Sequence, residues 1–165
     1  MRTVKRSRGS SSAIHVRGFF RVKLGESAKG KKVVVGDSGW CENIVVNLGF
    51  QDYICNLMGN LAGSKQISYI GIGTGTAPDA ADTSLNGETG TRKTTSNSVI
   101  SSKTLQCTAS WASSDHPGGT PSIQNLGLFN TSSGGTMCAG NTFAASAWNS
   151  NQAVSATYQL RFATA

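Results

Sequence analysis

The stretch Ile67–Glu88, ISYIGIGTGTAPDAADTSLNGE, decides the fold class of this chain. It begins as an apolar run, passes into alternating Gly and Thr, and ends as a small-residue loop carrying Pro78, Asp79 and Asp82. Two readings compete. A Gly-rich turn after a strand can cradle phosphate, but only where a helix opens at once and aims its free amides at the pyrophosphate. Here Gly75 and Thr76 are followed by Ala77, Pro78 and Asp79, and no Gly-Lys-Ser/Thr follows. The second reading is a strand whose glycines allow close backbone approach or a bulge. It is the one adopted, and it makes the chain mainly β.

The segments outward from this stretch agree. Val154, Ala156, Tyr158, Leu160 and Phe162 alternate with polar residues, the pattern of a half-buried strand. Leu105, Cys107, Ala109 and Trp111 do the same. Ile123–Phe129 reads as a strand, Asn130–Gly135 as a turn, and Met137–Phe143 as its return. Towards the N-terminus, Ile14, Val16, Phe20, Val22 and Leu24 share one face of a strand, with His15, Arg17, Arg21 and Lys23 on the other. Lys31–Val35 and Trp40–Val46 read as two further strands. One helix is predicted over residues 48–61, N-capped by Asn47, with Phe50, Ile54, Leu57, Met58 and Leu61 as the apolar stripe that docks on a sheet. About eight strands and one helix point to a single antiparallel β-sandwich over residues 13–165, jelly-roll being among the topologies this admits. Residues 1–12, MRTVKRSRGSSS, have no periodicity and read as an extended basic arm.

Charge is unevenly placed. Residues 1–32 hold ten cations against Glu26 alone, a net of +9, whereas residues 33–165 hold five cations and seven acids, a net of −2. A basic entrance of this kind fits an anionic partner, either nucleic acid or an acidic protein surface. The candidate contact residues are Arg2, Lys5, Arg6 and Arg8 on the arm and Arg17, Arg21 and Lys23 on the strand face. No RNA- or DNA-binding motif follows them, so any nucleic-acid contact would be electrostatic and indifferent to sequence. No secretory signal and no membrane-spanning run is expected.

Residues that suggest chemistry have plainer explanations. Gly36-Asp37-Ser38-Gly39 resembles a serine-nucleophile turn, but only His15 precedes it, so it reads as a turn between strands. Asp79 and Asp82 could offer loop oxygens to a cation, yet hard-cation sites take six or more oxygens, and no metal site is assigned. Asn130-Thr131-Ser132 is a sequon by pattern and a turn by context. Cys41, Cys55, Cys107 and Cys138 match no zinc spacing with His15 and His116, and are read as reduced structural residues, Cys55 and Cys107 on apolar faces. No catalytic constellation and no cofactor motif is identified. Trp40, Trp111 and Trp148 leave open a carbohydrate-binding module that uses them as stacking platforms.

Three stretches together resemble a known group. NIVVNLGFQDYICNLMGN, followed by ISYIGIGTGTAPDAADTSL and then by IQNLGLFNTSSGGTMCAGNTF, is similar to small virion proteins of tailed bacteriophages. In those, an N-x-G-x3-I helix precedes an IGTGT-x-AP-x3-DT-x-L segment and a later GLF…GGTM…TF hairpin. The resemblance spans about residues 40–163. It implies a non-enzymatic structural protein located in the virion. Such a protein assembles with itself, often threefold, and meets other capsid or tail proteins, as a head decoration or minor capsid protein or as a tail or fibre component. A coat protein whose arm contacts packaged nucleic acid is a further reading. Two departures stand out: the position before the LGLF motif, usually acidic in the group, is Asn125 here, and the basic arm lies outside the shared region.

Overall fold

The computed structural model describes residues 14–28 and 31–164; the predicted arm over residues 1–12, with Arg2, Lys5, Arg6 and Arg8, lies outside the described residues. Ten strands form one antiparallel sheet: β1 (Ile14–Ala28), β2 (Lys31–Asp37), β3 (Cys41–Val45), β4 (Tyr69–Gly73), β5 (Glu88–Thr94), β6 (Ser96–Ser101), β7 (Thr104–Trp111), β8 (Ser122–Phe129), β9 (Met137–Ala147) and β10 (Gln152–Thr164). Their spatial order is β5-β4-β8-β9-β3-β1-β10-β7-β6, with β2 paired to β1 beside β3. The two end strands, β5 and β6, are consecutive in sequence and joined through Thr95, so the sheet curls into a nearly closed, barrel-like wall. Single bonds lace the seam: Thr95 N–H donates to Ser68 O, Asn97 Nδ2 to Ile67 O, and Trp111 Nε1 to Thr91 O.

β1 and β10 form the longest pairing, from Ile14 opposite Thr164 to Glu26 opposite Gln152. Their alternation sends Phe20, Val22 and Leu24 of β1 and Val154, Ala156, Tyr158 and Leu160 of β10 into the interior. There they meet Ile70 and Ile72 of β4, Leu126 and Leu128 of β8, and Trp111 of β7. Phe20 stacks near Tyr158 and sets its ring edge against Phe143, the offset and T-shaped geometries that ring quadrupoles favour. A second, smaller cluster of Val46, Leu85, Phe129 and Met137 sits where the loop after β4 crosses the wall.

The expectations on the strands, the helix and its apolar stripe need correction. β1 is longer than the predicted 14–24, and β5 and β6 add strands to the expected eight. β6 is exposed at every position and so shows no alternation to read. The helix runs over residues 47–58 and is not uniform: Asn47–Phe50 is α-helical, Gln51–Cys55 is a π-helical segment, and Asn56–Met58 is α-helical again. Its N-cap is Val46 rather than Asn47, and no side chain caps it. The predicted stripe does not dock. Gly49, Asp52 and Tyr53 are the buried residues of the run, while Phe50, Leu57 and Met58, with Leu61 just beyond it, are exposed. The reason is local. Gly49 lies so close to β9 that an added Cβ would sit 2.0 Å from Cys138 O, which fixes the glycine face against the sheet. Asp52 is anchored by Lys65 Nζ and by Asn56 Nδ2, and Tyr53 donates its hydroxyl proton to Thr136 O. Burial raises the Tyr53 phenol above its ordinary range, and the nearby Cys138 and Asp52 add to that effect.

Candidate interaction surfaces

The Gly-Thr segment after β4 is held by side-chain amides that reach its carbonyls. Gln124 Nε2 donates to Thr74 O at 2.7 Å and to Gly75 O at 3.2 Å. Asn125, fully buried on β8, donates from Nδ2 to Thr76 O at 3.1 Å and to Asn86 O at 2.7 Å. The glycines permit this approach: a Cβ at Gly73 would lie 2.5 Å from Asn125 Oδ1, and one at Gly75 would lie 2.3 Å from Asn86 O. Further along, Asp79 Oδ1 accepts from Ala81 N–H and Asp82 Oδ2 from Asp79 N–H, so the two carboxylates cap their own turn. Buried Pro78 and Leu85 pin the loop to the wall. This segment is a strap across the sheet.

The other chemically suggestive residues are also engaged. Ser38 Oγ accepts from Val22 N–H and donates to Gly39 O, and His15 is seven residues from Val22 along β1, roughly 23 Å away at strand rise. Asp37 takes a two-pronged bond from Arg21, Nε to Oδ1 at 2.8 Å and Nη2 to Oδ2 at 2.5 Å. That bond pulls the Asp37 carboxyl down to about 2, against the opposing effect of burial. His116 organises the loop between β7 and β8. Gly118 N–H donates to its Nδ1, which leaves Nε2–H to donate to Trp148 O, and its ring sets an edge against the Trp148 indole. Arg92 is the most enclosed cation among the described residues. It pairs with Glu88 through Nε and Nη2, donates from Nη1 to Thr131 O and Gly134 O, and lies 3.4 Å over the Phe129 ring.

The tryptophans are corrected as a set. Trp111 and Trp148 are fully buried with their indole N–H groups bonded to Thr91 O and Gln152 O, so neither can serve as a stacking platform. Trp40 alone is exposed. Cysteine placement also differs from expectation at one site: Cys107 and Cys138 are buried in the core, where burial pushes both thiols up to about 12, but Cys55 is exposed on the helix. All four are free thiols.

Two of the surfaces that the described residues leave exposed bear on recognition. One is apolar. Met58 is 84% exposed, Leu61 57%, and Phe50 and Leu57 43% each. Next to this stripe a cleft of about 380 Å³ opens between the helix and the end of the wall, lined by Ile54, Leu57, Val16, Leu105, Leu160 and Phe162. The other surface is basic: the outer face of β1 carries Arg17, Arg21 and Lys23 beside Arg161 of β10. Of the residues expected to contact a partner, Lys23 lies on this face without an ion pair within 4.0 Å among the described residues. Arg17 is only 3.9 Å from exposed Glu42, and Arg21 is committed to Asp37. Comparison with protein-family models, curated proteins and solved structures finds no match. Among the described residues, no group of three or more His, Cys, Asp or Glu converges as a metal site, and no helix is long and apolar enough to cross a membrane.

Proposed function

We propose that this chain is a non-enzymatic structural protein of a tailed-phage virion that assembles with itself. In this reading it is a capsid-associated decoration or minor capsid protein that faces its particle through the basic N-terminal part. The observation that carries the reading is the exposure of four large apolar side chains, Phe50, Leu57 and Met58 on the helix and Leu61 just beyond it. Contiguous apolar patches of this sort mark protein–protein contacts, and a second copy of the chain is the occupant proposed here. β2 adds to it, with Val33, Val34 and Val35 exposed in succession beside an edge that β1 pairs on one side only. The resemblance of residues 40–163 to virion proteins supports the setting. Under it the barrel-like wall is the two layers of a β-sandwich of jelly-roll type, with threefold assembly as the expected symmetry. A carbohydrate-binding module is disfavoured because two of its three stacking residues are in the core.

The test is to purify particles from a culture carrying the gene and label this chain for electron microscopy. Label on the head agrees with the proposal. Label on the tail or fibres moves the chain to the tail alternative, and its absence from particles refutes the virion reading.

A further inference from the structure

We infer that the outer face of β1 and β10 binds the phosphodiester backbone of nucleic acid, with Arg161 as its pre-oriented anchor. The starting point is a charge conflict. Arg17 and Arg161 stand directly opposite each other across the β1–β10 ladder, an arrangement in which like charges repel. Glu42 offsets only Arg17, at 3.9 Å and with both side chains mostly in water. Arg161 meets no carboxylate within ion-pair distance among the described residues. It is nonetheless held in place. Its Nε and Nη2 donate to Gln159 Oε1 at 3.2 and 2.7 Å, Gln159 Nε2 donates in turn to Gln106 Oε1 at 3.0 Å, and the guanidinium lies 4.4 Å over the Phe19 ring. A planar fork fixed by an amide chain and an aromatic face, with Nη1 and its charge uncommitted, is organised for an oxyanion.

The neighbours set the class of anion. Arg161 lies over Phe19 in the outward row of β1, which carries Arg17, Arg21 and Lys23 at steps of roughly 6.8 Å about that place, with Asp37 paired to Arg21 and opposite Lys23. Lys103 is exposed on the β6–β7 turn, and its carbonyl accepts from Phe162 N–H, next to Arg161. The first 25 residues contain no acid and seven cations. A line of cations fits a linear polyanion with charge at regular intervals better than a patchy acidic protein surface. No RNA- or DNA-binding motif accompanies these cations in the sequence, so the binding proposed is to the backbone and indifferent to sequence.

This inference rests on the reading of the basic strand face as a contact surface, and is tested apart from any particle. The purified full-length chain is titrated with a short mixed-sequence single-stranded DNA oligonucleotide across a salt series, beside the double variant R17Q/R161Q. Urea melts confirm that the variant folds. Each phosphate contact contributes about −0.7 to the slope of log K against log salt for a single strand, so the double variant is expected to show a slope shallower by about 1.4. Affinity falls by roughly tenfold per arginine, the scale of a hydrogen bond to a charged group. The variant R161K keeps the charge and is expected to keep the slope while losing affinity. An unchanged slope and affinity in R17Q/R161Q overturns the assignment. Displacement of the oligonucleotide by polyglutamate of equal total charge also overturns it, in favour of an acidic protein partner. A chain absent from virions would refute the proposed function and leave these binding results standing.

Discussion

Replacing Asn125 by Asp tests the strap most sharply, because it changes one atom's role and nothing in size. Asn125 is fully buried and its Nδ2 serves two carbonyls, Thr76 O and Asn86 O, while its Oδ1 has no hydrogen-bond partner among the described residues. A carboxylate there would aim negative charge at two acceptors in a dry site, so the folded state should keep the acid protonated. Holding an ordinary aspartic acid neutral at pH 7 costs about 1.4 kcal/mol per pH unit over about three units, or about 4 kcal/mol. Loss of one of the two amide bonds adds about 1 kcal/mol. The sign follows from linkage. The folded pKa is raised, so the folded state holds more protons than the unfolded one above pH 4, and stability falls as pH rises. Asn125→Asp is expected to lose about 5 kcal/mol at pH 7 but only about 1 kcal/mol near pH 4, each relative to the parent at the same pH. Asn125→Ala, which strands both carbonyls, should lose about 2–6 kcal/mol with no such slope. Urea melts at a series of pH values measure both. Parent-like stability of Asn125→Asp at pH 7, or a flat difference from the parent, would refute the assigned amide orientation and the dryness of the site.

Further expectations concern the core and the ion pairs. Arg92→Met removes a buried cation that holds Glu88 and the loop carbonyls of Thr131 and Gly134, so it should cost about 3–5 kcal/mol and raise hydrogen exchange in residues 130–136 before other regions. Tyr158→Phe should be neutral or slightly stabilising in a thermal melt, because the buried hydroxyl has no partner among the described residues and its removal relieves desolvation. A clear loss of stability would show that the hydroxyl is bonded. The Asp37 carboxyl is held near 2 by Arg21, so its contribution is present above pH 4 and lost as pH falls through 2. Asp37→Asn should therefore flatten the acid limb of the stability profile. A thiol reagent should modify Cys55 at once, and Cys107 and Cys138 only on unfolding, since both are buried and lifted to about 12.

The sequence was most legible where one face of a strand is buried and the other wet. β1 and β10 show this, because Val22 and Leu24 or Tyr158 and Leu160 must alternate with polar neighbours to meet both environments. It was least legible in β6, where every residue is exposed and Ser, Asn and Val carry no period. Periodicity found the helix and misjudged its orientation. α-Helical spacing puts Phe50, Ile54, Leu57, Met58 and Leu61 on one docking face, but the π-helical segment Gln51–Cys55 changes that phase, and the docking face is set by the close approach of Gly49 to Cys138 O and by the Asp52–Lys65 pair. Nothing local in the sequence specifies either partner. Arg161 was missed as part of the basic face because it lies 144 residues after Arg17 and only the β1–β10 register joins them. Its position between inward Leu160 and Phe162 was the signal that it faces outward. The glycines of the strap were legible as backbone devices, whereas the amides of Gln124 and Asn125 that make them necessary come from a strand about fifty residues later.

Self-assembly through the exposed helix face is the claim on which the functional account turns. Multi-angle light scattering of the purified chain beside Leu57→Asp/Met58→Asp tests it most directly. The account predicts a multimer for the parent, threefold being the expected order, and a folded monomer for the variant. A parent that stays monomeric at every concentration, or a variant that assembles as the parent does, would contradict it.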